Sequence, residues 1–151
     1  ESGKVFYSET HKLLVDREKI FVSKRKKSDV EKIFIEIDES KINFPLKLAF
    51  SISENTNVIP NENIAKIDFE KLIFPLTLRK WREGDYFYPL GMNGKKKLSD
   101  FFIDKKLSLF EKEDIWILCS DQKVVWIVGS RIDDRFKITE NSKKAYIAEL
   151  F

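Results

Sequence analysis

The sequence predicts a strand-rich α+β fold in which most strands pair antiparallel. Short runs dominated by Val, Ile, Phe and Tyr outnumber the helical segments, and the helical segments lie in the second half of the chain. The connections between the runs are short, which favours antiparallel neighbours over parallel strands joined by long crossovers. With 13 Phe and only 5 Gly among 151 residues, the chain has enough bulky apolar side chains to fill a core between two layers.

Apolar runs and apolar/polar alternation predict the strands of the first half. An Asn-rich stretch with one Pro at residues 55–63 predicts a loop, which is the best internal boundary of the chain. Residues 1–57 are therefore expected to form a strand-rich first half, and residues 58–151 a second half. The predicted strands up to residue 78 are 4–8, 12–15, 19–23, 32–38, 46–53, 64–69 and 74–78.

Two short helices are predicted in the second half. Ser99 is a favoured N-cap residue type, so the first helix is expected to begin after it. Leu98 before this cap and Ile103 within the helix have the spacing of a hydrophobic staple. Residues 108–114 predict a second helical turn.

The rest of the second half predicts turns and strands. Residues 79–94 hold three of the five Gly and predict a loop. Asp121 and Gln122 separate two apolar runs, which indicates a hairpin. The predicted strands here are 115–119, 124–128 and 145–150.

The composition excludes several kinds of site. Cys119 and His11 are the single residues of their types, which leaves no internal disulfide and too few Cys and His ligands for a zinc site. No Gly-rich loop that could hold nucleotide phosphates is present, and His11 in its charged stretch is a poor candidate for a catalytic triad. No apolar run has the length of a membrane span and no signal sequence is apparent. A cytoplasmic protein without a membrane partner is therefore expected.

Positive charge is concentrated in one segment. Residues 79–106 contain eight Lys or Arg and four Asp or Glu, a net +4 that exceeds the +3 of the whole chain. Lys95, Lys96 and Lys97 follow a Gly turn and precede a predicted helix, where ammonium groups and free backbone N–H groups favour an anion. This pattern indicates contact with a phosphate backbone. The alternative is a solvated lysine turn.

Arg131 and Arg135 follow the predicted hairpin and extend the basic pattern. Each suits bidentate contact with phosphate or guanine, and each suits pairing with Asp133, Asp134 or Glu140. The sequence leaves both interpretations open. The Asp133-Asp134 pair is interpreted as part of a solvated loop beside these arginines rather than as a Mg²⁺ site.

Three other features have a structural interpretation. Trp81 and Trp126 could stack on bases, but burial in the core is the favoured role for both. The basic run at residues 24–27 is interpreted as a solvated turn.

Specific sequence blocks resemble one family. Arg-Lys-Trp-Arg-Glu-Gly-Asp at 79–85 and Lys-Leu-Ser-Asp-Phe-Phe at 97–102 resemble the C-terminal domain of bacterial tRNA(Ile)-lysidine synthetases. Residues 125–136 continue the pattern in register, and residues 8–17 resemble the segment that leads into it. Either of the two main blocks alone would be weak, but together they are specific.

The resemblance implies a function and a fold. Enzymes of this family join lysine to the wobble cytidine of a minor isoleucine tRNA, using ATP and Mg²⁺ in an N-terminal pyrophosphate-loop domain. That catalytic domain is absent from residues 1–151, so this chain is expected to be a non-catalytic part of a ligase that needs no cofactor itself. The implied fold is a layered, β-sandwich-like domain, similar to a domain of the phenylalanyl-tRNA synthetase β subunit.

The resemblance also implies what the chain binds. Residues 1–151 are expected to form one tRNA-binding domain that grips the tRNA, chiefly its acceptor stem, beside the N-terminal catalytic domain. Cations spaced for phosphates and 2′-hydroxyls suit such a grip, because side chains cannot read the deep major groove of an RNA helix. An alternative is a structural or homodimerising module that braces the catalytic domain, and a free-standing enzyme is disfavoured. The residues expected to grip the tRNA are Arg79, Arg82, Lys95, Lys96, Lys97, Arg131 and Arg135.

Overall fold

Antiparallel strands make up most of the regular secondary structure in the described part of the chain. The structure is a computed structural model that describes residues 4–7, 11–16, 19–24 and 31–151. The chain divides into two compact units, Glu1–Glu31 and Lys32–Phe151, so this division precedes the boundary expected near residue 57. The strand-rich α+β fold with two short helices is confirmed.

The first unit contains a three-stranded antiparallel sheet in which the middle strand pairs with both neighbours. The strands predicted here are confirmed to within one or two residues. Residue 8 of the first predicted strand and residues 25–27 of the basic run lie outside the described residues. The strands are β1 (Lys4–Tyr7), β2 (His11–Asp16) and β3 (Lys19–Lys24).

The second unit contains two four-stranded antiparallel sheets and one two-stranded ribbon. The orders of the larger sheets are β12-β11-β8-β4 and β5-β6-β13-β7, and the ribbon pairs β9 with β10. The strands are β4 (Lys32–Ile35), β5 (Lys41–Ile42), β6 (Leu48–Ser53), β7 (Ile64–Asp68), β8 (Leu76–Lys80), β9 (Tyr86–Phe87), β10 (Lys96–Lys97), β11 (Trp116–Ser120), β12 (Lys123–Ile127) and β13 (Ala145–Leu150).

The hairpin of β11 and β12 forms as predicted. Asp121 and Gln122 both have positive φ, 45° and 67°, as a tight turn matched to the twist of the strands requires. Every residue of β11 is buried, so this strand is covered on both faces. Side chains of one face, including Ile117 and Ile127, pack against helix α1 (Leu98–Asp104).

The start of α1 differs from the prediction. Lys97, not Ser99, occupies the N-cap position, and its side chain makes no capping hydrogen bond. The Leu98–Ile103 staple is also wrong, because Leu98 is fully buried while Ile103 is 61% exposed. The Leu98 amide donates to the Asp85 carbonyl at 2.9 Å. Tertiary packing therefore sets the first turn of this helix, not a side-chain cap.

The second helix, α2 (Leu109–Glu113), follows the predicted position closely. Ser108 accepts a hydrogen bond from the Glu111 amide at 3.1 Å, and the Glu111 carboxylate accepts one from the Ser108 amide at 3.3 Å. This reciprocal pair is a capping box, which stabilises a helix of only five residues. Among the described helices, none is both long and apolar enough to cross a membrane.

Candidate nucleic-acid interface

Arg79 forms an ion pair that organises the turn before β9. Its two terminal nitrogens donate to the two carboxylate oxygens of Asp85 at 2.9 and 2.8 Å, and the Arg82 amide donates to Asp85 at 2.8 Å. Burial opposes ionisation of Asp85, but these hydrogen bonds and the nearby positive charges hold its pKa below the usual value. Both side chains of the pair are only 13% exposed. The geometry therefore gives Arg79 a structural role and leaves Arg82 exposed beside it.

A second arginine, Arg135, is held in a different way. Its Nε and one terminal nitrogen donate to Asp133 at 3.0 and 2.9 Å, and its guanidinium lies 4.5 Å from the centre of the Tyr88 ring. Asp133 also accepts hydrogen bonds from the amides of Tyr88 and Arg135, at 2.9 and 2.7 Å. Its side chain is fully buried, so the solvated-loop interpretation is wrong for Asp133. Its carboxylate charge is satisfied by donors inside the fold.

Lys95, Lys96 and Lys97 line one side of a groove of about 480 Å³, called the lysine groove below. Lys95 lies over the Tyr86 ring at 3.9 Å from its centre. Lys96 forms an ion pair with Asp104, whereas Lys97 is exposed. The remaining residues that line this groove are Pro89, Met92, Asn93, Gly94 and Asp100.

Arg131 lies against the other side of the turn that contains Met92. Its guanidinium is 5.5 Å from the centre of the Phe101 ring, and its Nη1 is 3.2 Å from the Met92 sulfur. Among the described residues, it has no carboxylate within salt-bridge distance. Its charge is therefore available to an anion.

The structure brings several of the predicted residues together. The Tyr86 ring under Lys95 contacts the Tyr88 ring under Arg135, with centres 6.3 Å apart. Met92 joins Arg131 to the lysine groove. Arg79 and Arg82 lie on the turn before this strip, and Arg82 lines a different groove together with Trp81.

Sequence reasoning did not single out Tyr86 and Tyr88 as supports for the cations. The sequence contained a usable signal, because successive side chains of a strand point to opposite faces, so Tyr86 and Tyr88 are expected on the face opposite Phe87. In the structure Phe87 is fully buried and Tyr86 is exposed. The core role favoured for the two tryptophans agrees with the packing: Trp126 is buried, and Trp81 packs partly buried against the α1 cluster.

Neither a reactive thiol nor a metal-binding cluster lies beside these cations in the described part of the chain. Burial raises the pKa of the Cys119 thiol to about 11, so this group stays protonated and inert at neutral pH. Among the described residues, no group of three or more His, Cys, Asp and Glu side chains could hold a metal ion. What the arrangement offers chemically is a positively charged, aromatic surface.

Comparison with known proteins shows which family the chain belongs to. Residues 76–149 match the family described as the TilS substrate C-terminal domain. A tRNA(Ile)-lysidine synthase of Parabacteroides distasonis is 46% identical in an alignment of 151 positions that covers 97% of this chain and 34% of the relative. The chain belongs to this family of TilS C-terminal domains.

Other relatives and a solved structure support the same assignment. A tRNA(Ile)-lysidine synthase of Bacteroides thetaiotaomicron is 32% identical over 99% of this chain and 33% of the relative. The chain thus spans about a third of the length of these curated relatives. A crystal structure of a TilS C-terminal domain has the same fold, with a TM-score of 0.66 and 18% identity. That match covers 79% of this chain and 95% of the solved one.

Proposed function

We propose that this chain is the tRNA-gripping, non-catalytic C-terminal part of a tRNA(Ile)-lysidine synthase. The observation that carries the proposal is that Lys95, Arg131 and Arg135 each lie over an aromatic ring, beside the exposed Lys97, on this family's fold. Such a surface suits the phosphates and sugars of an RNA stem, and the acceptor stem of the tRNA is the proposed target. Arg82 and Lys96 contribute at its edge, and Arg79 supports it from inside.

The parent activity forms part of the same proposal. The relatives that cover this chain are tRNA(Ile)-lysidine synthases, and we infer that this chain serves such a ligase in the cytoplasm. ATP and Mg²⁺ would act in the N-terminal catalytic domain, which is its proposed partner, while the fragment itself needs no cofactor. The proposed substrate is a minor isoleucine tRNA.

Binding of tRNA across a salt series tests the grip. The chain and its Lys95→Ala/Lys96→Ala/Lys97→Ala variant are titrated with isoleucine and methionine tRNA transcripts from about 50 to 200 mM salt. The affinity of the chain is expected to fall steeply with salt, because phosphate contacts release counterions. The triple variant is expected to bind at least tenfold more weakly and to show a shallower salt dependence.

A matched variant separates the local surface from net charge. Lys123→Ala/Lys143→Ala/Lys144→Ala removes the same three charges from exposed positions away from the lysine groove and is expected to bind nearly as well as the parent chain. Equal losses of tRNA affinity in both triple variants would mean that binding depends on net charge and not on the lysine groove. No binding by the parent chain at low salt would contradict the proposal.

A bracing or dimerising module is a second candidate function. Ile103 and Leu109 are exposed and line a groove of about 660 Å³, and Phe110, next to Leu109 in the chain, is exposed as well. Exposed apolar side chains grouped on a surface often mark protein contacts. Sedimentation of the chain and of Phe110→Asp from micromolar to millimolar concentration tests self-association. A dimer that the substitution dissociates supports this function, and a monomer at every concentration excludes homodimerisation through this groove.

A further inference from the structure

A separate cleft of about 410 Å³ lies next to Arg131 and has mostly apolar walls. Its volume is within the range of small-molecule sites, which are apolar with a few placed polar groups. Val58 and Leu90 are partly exposed on its walls, while Trp126 is buried. Its other apolar lining residues are Ile59, Pro60, Ile64 and Ile132.

The cleft is positively charged as well as apolar. Lys66, Lys105 and Arg131 line it, against Glu62 as its acidic lining residue. Lys105 and Arg131 each lie over the Phe101 ring, at 5.2 and 5.5 Å from its centre. Within the described residues neither forms a salt bridge. The cleft therefore combines a surface for a flat apolar group with cations suited to an attached anion.

One polar group in the lining is not satisfied inside the fold. The Ser130 hydroxyl oxygen is buried and has no hydrogen-bond partner in the part of the chain that the structure describes. Ser130 lines the cleft. Since buried hydroxyl groups in proteins are usually hydrogen-bonded, this one is available to a polar ligand edge.

The cleft and the lysine groove share a wall. Leu90 and Gly91 line the cleft, whereas Met92 and Gly94 of the same turn line the groove. Arg131 bridges them, because it lines the cleft and donates to the Met92 sulfur. A nucleic-acid strand that lies along the groove can therefore continue across this turn into the cleft.

We propose that this cleft holds the base of an unpaired RNA nucleotide adjacent to the gripped stem. The base would lie between the apolar walls, its edge would meet the Ser130 hydroxyl, and its phosphate would meet Arg131 and Lys105. A paired base is stacked inside its helix and does not reach such a cleft, so the ligand is a single-stranded end. This inference rests on the proposed tRNA grip.

The test uses three RNA hairpins with one stem sequence. One is blunt, one carries a four-nucleotide unpaired tail at its 3′ end, and one carries the same tail at its 5′ end, each tail containing 2-aminopurine. One of the tails is expected to raise the affinity of the chain about tenfold, because stacking of one base contributes on the order of a tenfold gain or more. The 2-aminopurine fluorescence is expected to change when that tail binds.

Substitutions in the cleft separate it from the grip. Val58→Asp and Leu90→Asp are expected to abolish the gain from the tail, because each places a carboxylate in the cleft, where it repels the phosphate of the tail. Blunt-stem affinity is expected to stay within about twofold, because neither residue lines the lysine groove. Ile73→Asp, at an exposed apolar position outside the cleft, is the matched control and is expected to keep the gain. Ser130→Ala is expected to reduce the gain several-fold without lowering the unfolding midpoint.

The outcomes distinguish this inference from the proposed function. Equal affinity for blunt and tailed hairpins overturns the cleft proposal while the grip stands. Loss of blunt-stem binding in Val58→Asp and Leu90→Asp but not in Ile73→Asp also overturns it, because the cleft would then be part of the stem contact. Failure of every hairpin to bind at low salt overturns the proposed function and the cleft proposal together.

Discussion

At the scale of single residues, the arginines of this surface differ in how much of their charge is free. Arg79 gives both terminal nitrogens to Asp85, so its pKa is raised by that hydrogen-bonded partner and its charge is used inside the fold. Arg135 is bound to Asp133 but stays partly exposed. Arg131 contacts a ring and a sulfur. The sequence alone could not show how much of each arginine's charge is free, because this depends on which carboxylate packs against each side chain.

The two adjacent acids Asp133 and Asp134 allow a direct test of burial. Asp133→Asn is expected to lower the free energy of unfolding by about 2–4 kcal/mol, because it weakens four hydrogen bonds and leaves Arg135 without its counter-charge. Asp134→Asn is expected to cost less than about 1 kcal/mol, because its pairing with Lys137 is exposed. Urea unfolding followed by Trp fluorescence measures both. Equal costs would contradict the structural role given to Asp133.

At the scale of elements, sequence patterns located strands better than they located boundaries. The buried apolar runs of β11 and β12 and the alternating pattern of β6 lie close to their predicted positions. The two-residue strand β9 lies in the segment predicted as loop, and its partner β10 was not predicted as a strand. Strands this short show no periodicity.

One residue in the turn of the β11–β12 hairpin has a strained backbone conformation, and a substitution can test its cost. Gln122 adopts a φ of 67°, which disfavours a residue with a Cβ. Gln122→Gly is expected to raise the free energy of unfolding by about 0.5–1 kcal/mol, because glycine accepts this conformation freely.

The neighbouring residue supplies the control for that substitution. Lys123→Gly, in the exposed first position of β12, is expected to destabilise by a similar amount, since glycine weakens strands. Thermal unfolding of both variants checks that the two changes in the free energy of unfolding have opposite signs. Destabilisation by Gln122→Gly would show that the positive φ at this turn costs nothing.

At the scale of the whole chain, the candidate site lies within one unit. All seven residues predicted to grip the tRNA belong to Lys32–Phe151. The sequence identified this region through charge density and family motifs, but the cleft beside Arg131 was not foreseen. Its walls come from residues 58–66, 90–91 and 126–132, and only the tertiary fold brings such distant segments together.

Removal of the first unit tests whether residues 32–151 are sufficient for the proposed tRNA binding. A chain of residues 32–151 is expected to bind tRNA within about threefold of the full chain and with the same salt slope, because it keeps all the cations proposed to grip the tRNA. Circular dichroism confirms that the shortened chain is folded. A tenfold loss of affinity in a folded 32–151 chain would assign part of the grip to residues 1–31.

The buried Asp133 affects when the Arg135 side chain loses its conformational entropy. Because it fixes two nitrogens of Arg135 over the Tyr88 ring, that guanidinium gives up its rotameric freedom during folding rather than when the proposed RNA ligand binds. Immobilising such a side chain at an interface costs roughly 0.5–1.5 kcal/mol. In the proposed tRNA grip, Arg135 would avoid most of that cost and the exposed Lys97 would not. The surface would therefore combine a preset donor with an adaptable one.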